Sequence, residues 1–203
     1  MRDLVYYVAA SVDGFIADED GDASQFPMDP DTVAALFSRY PETCPAPLRE
    51  AFGVTGERRR FDTVLLGRRT HQPAIEAGWQ GGAYPHLRQI VVTHHDLGDT
   101  PGVETLSGDV ALAVARLKAE PGDDIWLCGG ADLASQLIDV IDELQVKVNP
   151  ILLGGGIPLF ARGRMPRSVA LTEVDHLPGD VVLSTYRMSG GPGLDSELSS
   201  PVG

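Results

Sequence analysis

The stretch Thr63–Gln72, TVLLGRRTHQ, joins an apolar run to two arginines through a single glycine. The run Val64–Leu66 has the composition of a buried strand, and Gly67 allows a tight turn directly after it. The amides that follow would begin a helix whose N-terminus is open to an anion. Arg68 and Arg69 add fork-shaped donors suited to phosphate oxygens. We therefore interpret this stretch as a phosphate-binding junction between a strand and a helix.

A second junction of the same kind lies further along the chain. Gly129, Gly130 and Ala131 follow the apolar run DIWLC, and small residues there would let a pyrophosphate approach the backbone amides. Each junction alone is also typical of an ordinary turn. Two phosphate sites on neighbouring strands fit a dinucleotide that carries a pyrophosphate and an additional ribose phosphate. The other arginine run, ERRR at 57–60, is more simply explained as a solvated face.

The composition is that of one soluble globular domain. The chain has 203 residues, of which 43% are hydrophobic and 22% are charged. It has no apolar run long enough to span a bilayer, and its first residues, MRDLVYYVAASVDG, alternate like a strand rather than a signal peptide. A net charge of −13 argues against nucleic-acid or anionic-membrane partners. We expect a cytoplasmic protein that binds small molecules.

Several familiar catalytic and binding motifs are absent from the sequence. There is no GxxxxGK[ST] motif, no GxGxxG after the first apolar run, and no GxSxG nucleophile motif. The five histidines do not pair with Cys or acidic residues at metal-ligand spacing, so we expect no metal. The two cysteines are too few for a disulfide framework.

Apolar periodicity predicts strands that alternate with helices. Helices are expected after the caps Asp29 and Asp109, after Gly130, and briefly around Leu48–Phe52. The alternation predicts a mixed, mainly parallel α/β sheet, and the turn DHLPGD makes the last two strands an antiparallel hairpin. We expect one domain over 1–188 and a flexible tail over 189–203. The predicted strands are Leu4–Ala10, Thr63–Leu66, Ile90–Thr93, Ile125–Cys128, Leu144–Leu153, Val169–Val174 and Val181–Met188.

Five segments resemble the dihydrofolate reductase-like superfamily, in the branch that contains the C-terminal reductase domain of the riboflavin-biosynthesis protein RibD. They are AASVDGFIA at 9–17, VLLGRRT at 64–70, IVVT at 90–93, WLCGGADLASQLI at 126–138 and NPILLGGGIPLF at 149–160. The resemblance implies the superfamily's mixed, mainly parallel central sheet flanked by helices. It also implies an NADPH-dependent oxidoreductase acting on a small heterocyclic or imine-like substrate, similar to 5-amino-6-(5-phosphoribosylamino)uracil reductase. The alternatives are a divergent dihydrofolate reductase and a catalytically silent nucleotide-binding relative.

The same resemblance implies which residues form the site. Arg68, Arg69 and Thr70 would hold the phosphates of NADPH, with Thr93 and His94 beside the adenosine. The full cofactor set is Ala10, Gly67, Arg68, Arg69, Thr70, Thr93, His94, Gly129, Gly130, Ala131, Asp132 and Leu133. The substrate and lid set is Ser11, Phe15, Ile16, Gly154, Gly155 and Gly156. The segment LLGGGIPLF would form either a turn beside the nicotinamide or a connector between strands.

The catalytic residue is not assigned by the resemblance. The first helix lacks the usual preceding Trp–Pro pair, and the weak candidates for an acid are Asp13, Asp29 and Asp31. Asp29 precedes a proline and is more simply a helix cap, and Asp13 is more simply a turn residue. The stretch HQPAIEAGWQGG departs from the substrate-phosphate pattern of the riboflavin-pathway reductases.

Two further expectations concern assembly and motion. A homodimer is expected because members of this branch pair through sheet edges, and the apolar strand VVLSTYRM needs a covered edge. The loop DGFIADEDGD places Phe15 and Ile16 between acidic residues, which suggests a lid that closes over the reacting rings.

Overall fold

Strands and helices alternate through the part of the chain that the computed structural model describes, which is residues 1–95, 97–98, 100–161 and 166–188. The strands are β1 (Leu4–Ser11), β2 (Phe15–Ala17), β3 (Phe61–Gly67), β4 (Arg88–Val92), β5 (Val103–Leu106), β6 (Asp124–Gly129), β7 (Glu143–Asn149), β8 (Ile157–Pro158), β9 (Val169–Leu177) and β10 (Val181–Met188). The helices are α1 (Pro30–Arg39), α2 (Arg68–Glu76), α3 (Val110–Ala119) and α4 (Ala131–Gln136).

Eight strands form one mixed sheet in the order β5-β4-β3-β6-β1-β7-β10-β9. All neighbours from β5 to β7 are parallel, whereas β10 is antiparallel to both β7 and β9. The expected mixed, mainly parallel sheet with a C-terminal antiparallel hairpin is therefore confirmed. Because parallel strands end at the same edge, the residues that follow β1, β3 and β6 are brought together.

Successive side chains along each strand point to opposite faces of the sheet, so an apolar core forms on each face. Tyr6 and Tyr7 are both buried but belong to opposite cores. Covering each face with helices removes large apolar side chains from water, which stabilises the fold by about 1.5–3 kcal/mol for each fully buried one. One core, which includes residues of α3 and α4, contains Leu4, Tyr6, Val8, Leu65, Val114, Leu127 and Leu137. The other, against which α1 and α2 pack, contains Val5, Tyr7, Val64, Leu66, Ala74, Trp126 and Leu183.

The helix starts agree with the caps expected from the sequence. The Asp29 carboxylate accepts the amide of Thr32 at 2.9 Å, and that of Asp109 accepts the amide of Leu112 at 3.0 Å. Both contacts satisfy amides that have no partner inside the helix. The helix after Gly130 is shorter than its apolar spacing suggested, since α4 ends at Gln136.

Local details of the sequence prediction were wrong where elements are short. β2, β5 and β8 have two to four residues, too few to show a period. β7 ends at Asn149 rather than Leu153, directly before Pro150, which has no amide to donate. Instead of a helix around Leu48–Phe52 there is a 3₁₀ turn at Ala46–Leu48 followed by turns.

The C-terminal strand does not need another chain to cover it. β10 is bonded to β7 on one side and to β9 on the other, so this argument for a dimer is wrong. Within the described residues β9 is the outer strand, and it exposes Val169, Leu171 and Val174. A homodimer stays a prediction. The expected tail, 189–203, lies outside the described residues, and among those that are described no helix is both long and apolar enough to cross a bilayer.

Candidate functional site

The two glycine junctions lie against each other at the carboxyl edge of the sheet. β3 and β6 are parallel neighbours, and Leu66 is in register with Gly129. A Cβ atom on Gly67 would lie 3.4 Å from the carbonyl oxygen of Gly129 and 3.5 Å from the nitrogen of Gly130. A larger side chain at Gly67 would therefore fill the space between the junctions. Gly129 has a φ of 123°, which side chains rarely adopt, and the peptide bond to Gly130 is cis.

The first junction presents free donors. Gly67 is the N-cap of α2 and has no side chain to bond the first-turn amides, so these are open to an anion. Arg68 and Arg69 are exposed, and neither guanidinium has an ion pair or hydrogen bond with any residue of the described ranges. Thr70 points toward the second junction, because its hydroxyl lies 3.7 Å from a Cβ placed on Gly130.

The second junction contributes backbone rather than side chains. Ala131 and Leu133 are buried, so only their main-chain atoms can face a ligand, while Asp132 is exposed. α4 has six residues, too short to concentrate much dipole at its start. The small glycine backbone, rather than the helix end, is what this junction offers to a pyrophosphate.

The end of β4 flanks the first junction, since Gly67 is in register with Val92. Thr93 follows and is buried, and its hydroxyl accepts the amide of His95 at 3.0 Å. That bond holds the turn in shape, and His94 is exposed on it. Thr93 and His94 therefore follow the strand next to the one that Arg68 and Arg69 follow. Together the four residues could contact one end of an extended ligand.

The proposed lid is paired with the glycine-rich segment. β2 and β8 form a two-stranded antiparallel sheet in which Phe15 faces Pro158, and Leu159 donates its amide to the carbonyl of Gly14 at 3.0 Å. A Cβ on Gly156 would meet the carbonyl oxygen of Ala17 at 2.2 Å, so only glycine fits there. The segment LLGGGIPLF therefore contains a short strand and packs against the lid.

The lid also reaches the second junction. The Cδ1 atom of Ile16 lies 3.9 Å from a Cβ placed on Gly130. At the base of the loop, the hydroxyl of Ser11, next to Ala10 at the end of β1, accepts the amide of Phe15 at 3.0 Å. The expected lid residues are therefore brought to the same edge as the cofactor residues. Gly154 and Gly155 lie in a bend shortly before β8.

None of the three candidate acids has the surroundings of a proton donor. Asp13 accepts the amides of Leu153 at 3.1 Å and Gly154 at 2.7 Å, and a hydrogen bond from Ser11 together with these amides lowers its pKa. The bonds that Asp29 accepts from Thr32 likewise lower the pKa of that cap carboxyl.

Asp31 is exposed in the first turn of α1. Two of the three carboxyls are therefore held ionised by structural bonds, and the third is turned to solvent. We do not propose any of them as the proton donor.

A partly buried titratable group was missed by the sequence reasoning. Lys147 lies on β7 with its ammonium 3.9 Å from the ring centroid of Tyr7, and desolvation lowers its pKa to about 8. Burial raises the pKa of the nearby Cys128 thiol to about 12, so that group is neutral. The available signal was the polar alternation of ELQVKVN, because a strand covered on both faces is normally apolar throughout.

α2 also carries a buried imidazole. His71 is 1% exposed, burial lowers its pKa, and neither ring nitrogen has a partner within the described ranges. In the part of the chain that is described, no three His, Cys, Asp or Glu side chains lie close enough together to hold a metal ion.

Comparisons with known proteins identify relatives of this chain. A family model described as the RibD C-terminal domain matches residues 2–183. The uncharacterized protein YwjB of Bacillus subtilis (strain 168) is 32% identical over 165 residues, which cover 78% of this chain and 83% of that protein.

Two solved structures share the fold. A Thermotoga maritima diaminohydroxyphosphoribosylaminopyrimidine deaminase/5-amino-6-(5-phosphoribosylamino)uracil reductase superposes with a TM-score of 0.60 at 18% identity, covering 93% of this chain and 57% of that one. An Enterococcus faecalis dihydrofolate reductase, solved with NADP(H) and an additional ligand, gives 0.58 at 17% identity, covering 92% of this chain and 96% of that one. At these identities the likeness establishes a dihydrofolate reductase-like fold.

Proposed function

Because the chain belongs to the RibD C-terminal domain family, we propose that it is an NADPH-dependent reductase that transfers a hydride to a small heterocyclic or imine-like substrate. The observation that carries the proposal is the meeting of two glycine junctions beside two unpaired arginines. Glycine backbone and free guanidinium groups are what a pyrophosphate and a ribose phosphate require.

The residues present fit the cofactor. Arg68 and Arg69, with the open amides of α2, would hold the ribose phosphate and part of the pyrophosphate. The backbone at Gly129 and Gly130 would take the remainder, since a Cβ atom on Gly67 would contact both residues and the glycine leaves that space open. When bound, the reduced nicotinamide supplies the hydride. The protein's own part is to orient that ring at the edge of the sheet and to exclude water, for which Ile16 on β2 is suitably placed.

The family and the site together support the proposed substrate class. The Thermotoga maritima enzyme is described as a reductase of a uracil derivative, and a planar pyrimidine of that kind is our first candidate substrate. We also propose a role near riboflavin biosynthesis, a cytoplasmic location and a homodimer. A net charge of −13 supports the absence of nucleic-acid and membrane partners.

The proposal is tested in two steps. Fluorescence titration should first show NADPH binding more tightly than NADH. NADPH oxidation is then followed with 5-amino-6-(5-phosphoribosylamino)uracil and, separately, with dihydrofolate. Turnover of the uracil derivative supports the proposal, whereas turnover of dihydrofolate alone identifies a divergent folate reductase. Binding without any turnover identifies a silent relative, and the absence of NADPH binding overturns the proposal altogether.

A further inference from the structure

Lysine is rare in this chain, and within the described residues one of its two lysines has neither an ion pair nor a hydrogen bond. Of the 16 basic residues only Lys118 and Lys147 are lysines, and the others are arginines. Lys118 is held by an ion pair with Asp142 and a 3.0 Å hydrogen bond to the carbonyl of Val140. Lys147 has neither an ion pair nor a hydrogen bond from its ammonium to any residue of the described ranges. Arginine cannot release its proton near neutral pH, but lysine can.

The position of Lys147 connects it to the candidate site. It is in register with Ala9 near the carboxyl end of β1, two residues before the lid loop begins after Ser11. Its ammonium also lies within electrostatic reach of Cys128, the residue directly before Gly129. The Lys147 side chain is only partly exposed.

Two acidic groups on this face of the sheet are each paired with an arginine. Glu143, on the same side of β7, bonds Arg60 at 2.7 Å. Asp175 on β9 bonds Arg39 of α1. Lys147 therefore has a tyrosine ring and a neutral thiol as its described neighbours, and no carboxylate.

The two uncharged side chains nearest to Lys147, those of Tyr7 and Cys128, do not titrate near neutral pH. Burial raises the pKa of Tyr7 and that of Cys128 well above the neutral range, and Tyr84 is hydrogen-bonded to Cys128. In a chain of net charge −13, a cation without a counter-ion beside the cofactor junctions indicates that a ligand atom completes its surroundings.

We propose that Lys147 is the proton donor of the reductase, contacting the substrate nitrogen or oxygen that becomes protonated during reduction. The proposal rests on the proposed function. It supplies the acid that Asp13, Asp29 and Asp31 do not, and it selects substrates whose reducible bond ends in a basic atom, such as an imine or a conjugated carbonyl.

The step balances in atoms and electrons. A substrate C=N bond accepts a hydride at carbon from the reduced nicotinamide, and its π electron pair moves to nitrogen. One N–H bond of the Lys147 ammonium breaks as a new N–H bond forms on the substrate. The substrate would gain the two electrons of the hydride that the reduced cofactor supplies, and the neutral lysine amine would recover a proton from solvent. The lowered pKa of about 8 suits this exchange, because a donor works best when its pKa is near the working pH.

The first measurement follows the two lysines directly. In protein labelled with ¹³C-lysine, the two side-chain signals are titrated by NMR, and Lys147→Arg assigns them. We expect the Lys147 signal to titrate near pH 8. A Lys147 signal that titrates at or above the ordinary lysine pKa of about 10.4 would overturn the proposal.

The second measurement uses the uracil derivative, or dihydrofolate if only that is turned over. Lys147→Arg keeps the charge but cannot donate a proton, so kcat should fall about a hundredfold or more while the Kd for NADPH changes less than about twofold. Lys147→Met should show the same fall in kcat. Lys118→Arg is the matched control, and its kcat should equal that of the wild type. The wild-type kcat should fall as pH rises through about 8, and this limb should be missing from Lys147→Arg.

The outcomes separate this inference from the proposed function. If Lys147→Arg retains the wild-type kcat and its high-pH limb, the lysine is not the proton donor, although the protein is a reductase. If the wild type neither binds nor oxidises NADPH, the proposed function fails and this inference fails with it.

Discussion

Two runs of arginine, at 58–60 and at 68–69, look alike in the sequence but differ completely in their surroundings. Arg60 is partly buried and donates to Asp124 at 2.9 Å and to Glu143 at 2.7 Å. Arg58 is exposed and lies 3.4 Å from Asp123. Arg68 and Arg69 lie at the start of α2 with no acidic partner in the described ranges.

The difference shows what separates a structural arginine from one available to a ligand. The expectation of a solvated face at 57–60 is correct for Arg58 and Arg59 but wrong for Arg60. What decides the role is whether the fold brings a carboxylate within reach, and Asp124 and Glu143 come from distant parts of the chain. A cation without a carboxylate in a chain of net charge −13 remains available to an anionic ligand.

The largest expected effect is on stability, from Arg60→Met. Removing the guanidinium leaves the carboxylate of Glu143, which is 8% exposed, without its cation. Loss of one partner of such a pair costs about 3 kcal/mol. Urea unfolding should show this loss, and adding Glu143→Gln should recover part of it. NADPH affinity of the folded protein should not change; a large loss of affinity with unchanged stability would reverse the roles of the two runs.

Arg68→Ala and Arg69→Ala should lose NADPH affinity but keep their stability, the opposite of Arg60→Met. A charge-assisted hydrogen bond contributes roughly 1.5–3 kcal/mol, so each variant should bind NADPH about ten- to a hundredfold more weakly. NADH binding should change far less, because NADH lacks the ribose phosphate. Titrations of both cofactors at one fixed salt concentration provide the test, with unfolding curves as the control.

Equal losses for the two cofactors would assign these arginines to the shared pyrophosphate. No loss for either cofactor would leave both side chains as ordinary solvated cations.

Salt should distinguish the two runs in the wild-type protein. Exposed charges are screened within about 8 Å at 0.15 M ionic strength, whereas partly buried pairs are screened much less. Raising the salt concentration tenfold should weaken NADPH binding several-fold and change the free energy of unfolding little. In Arg68→Ala the salt dependence of NADPH binding should be shallower than in the wild type. An equal dependence in both proteins would mean that Arg68 does not contact the cofactor.

The smallest expected effect belongs to Arg58→Ala. Arg58 and Asp123 are both about half exposed, and surface pairs of this kind contribute between about 0 and 1 kcal/mol. The urea midpoint and the NADPH affinity should both stay close to the wild-type values. A loss comparable to that of Arg60→Met would mean that the whole run at 57–60, and not Arg60 alone, is structural.

The sequence predicted the elements whose signals are local. Seven strands, two capped helices and the hairpin turn were found from apolar periodicity, caps and turn residues, each of which acts within a few neighbouring positions. β2 and β8 were missed because two or three residues have no period, and they become strands only by pairing with each other across more than a hundred positions.

The sequence by itself determined the residue types at the candidate site: glycine at 67, 129 and 130, and arginine at 68 and 69. Only the tertiary structure decided that the two junctions meet, that Arg60 has acidic partners and that Lys147 has none among the described residues. The physical reason is that backbone conformation depends on adjacent residues, whereas the partner of a charge depends on which distant strands the sheet places side by side. The register of Ala9 with Lys147 and of Leu66 with Gly129 belongs to that second kind of information.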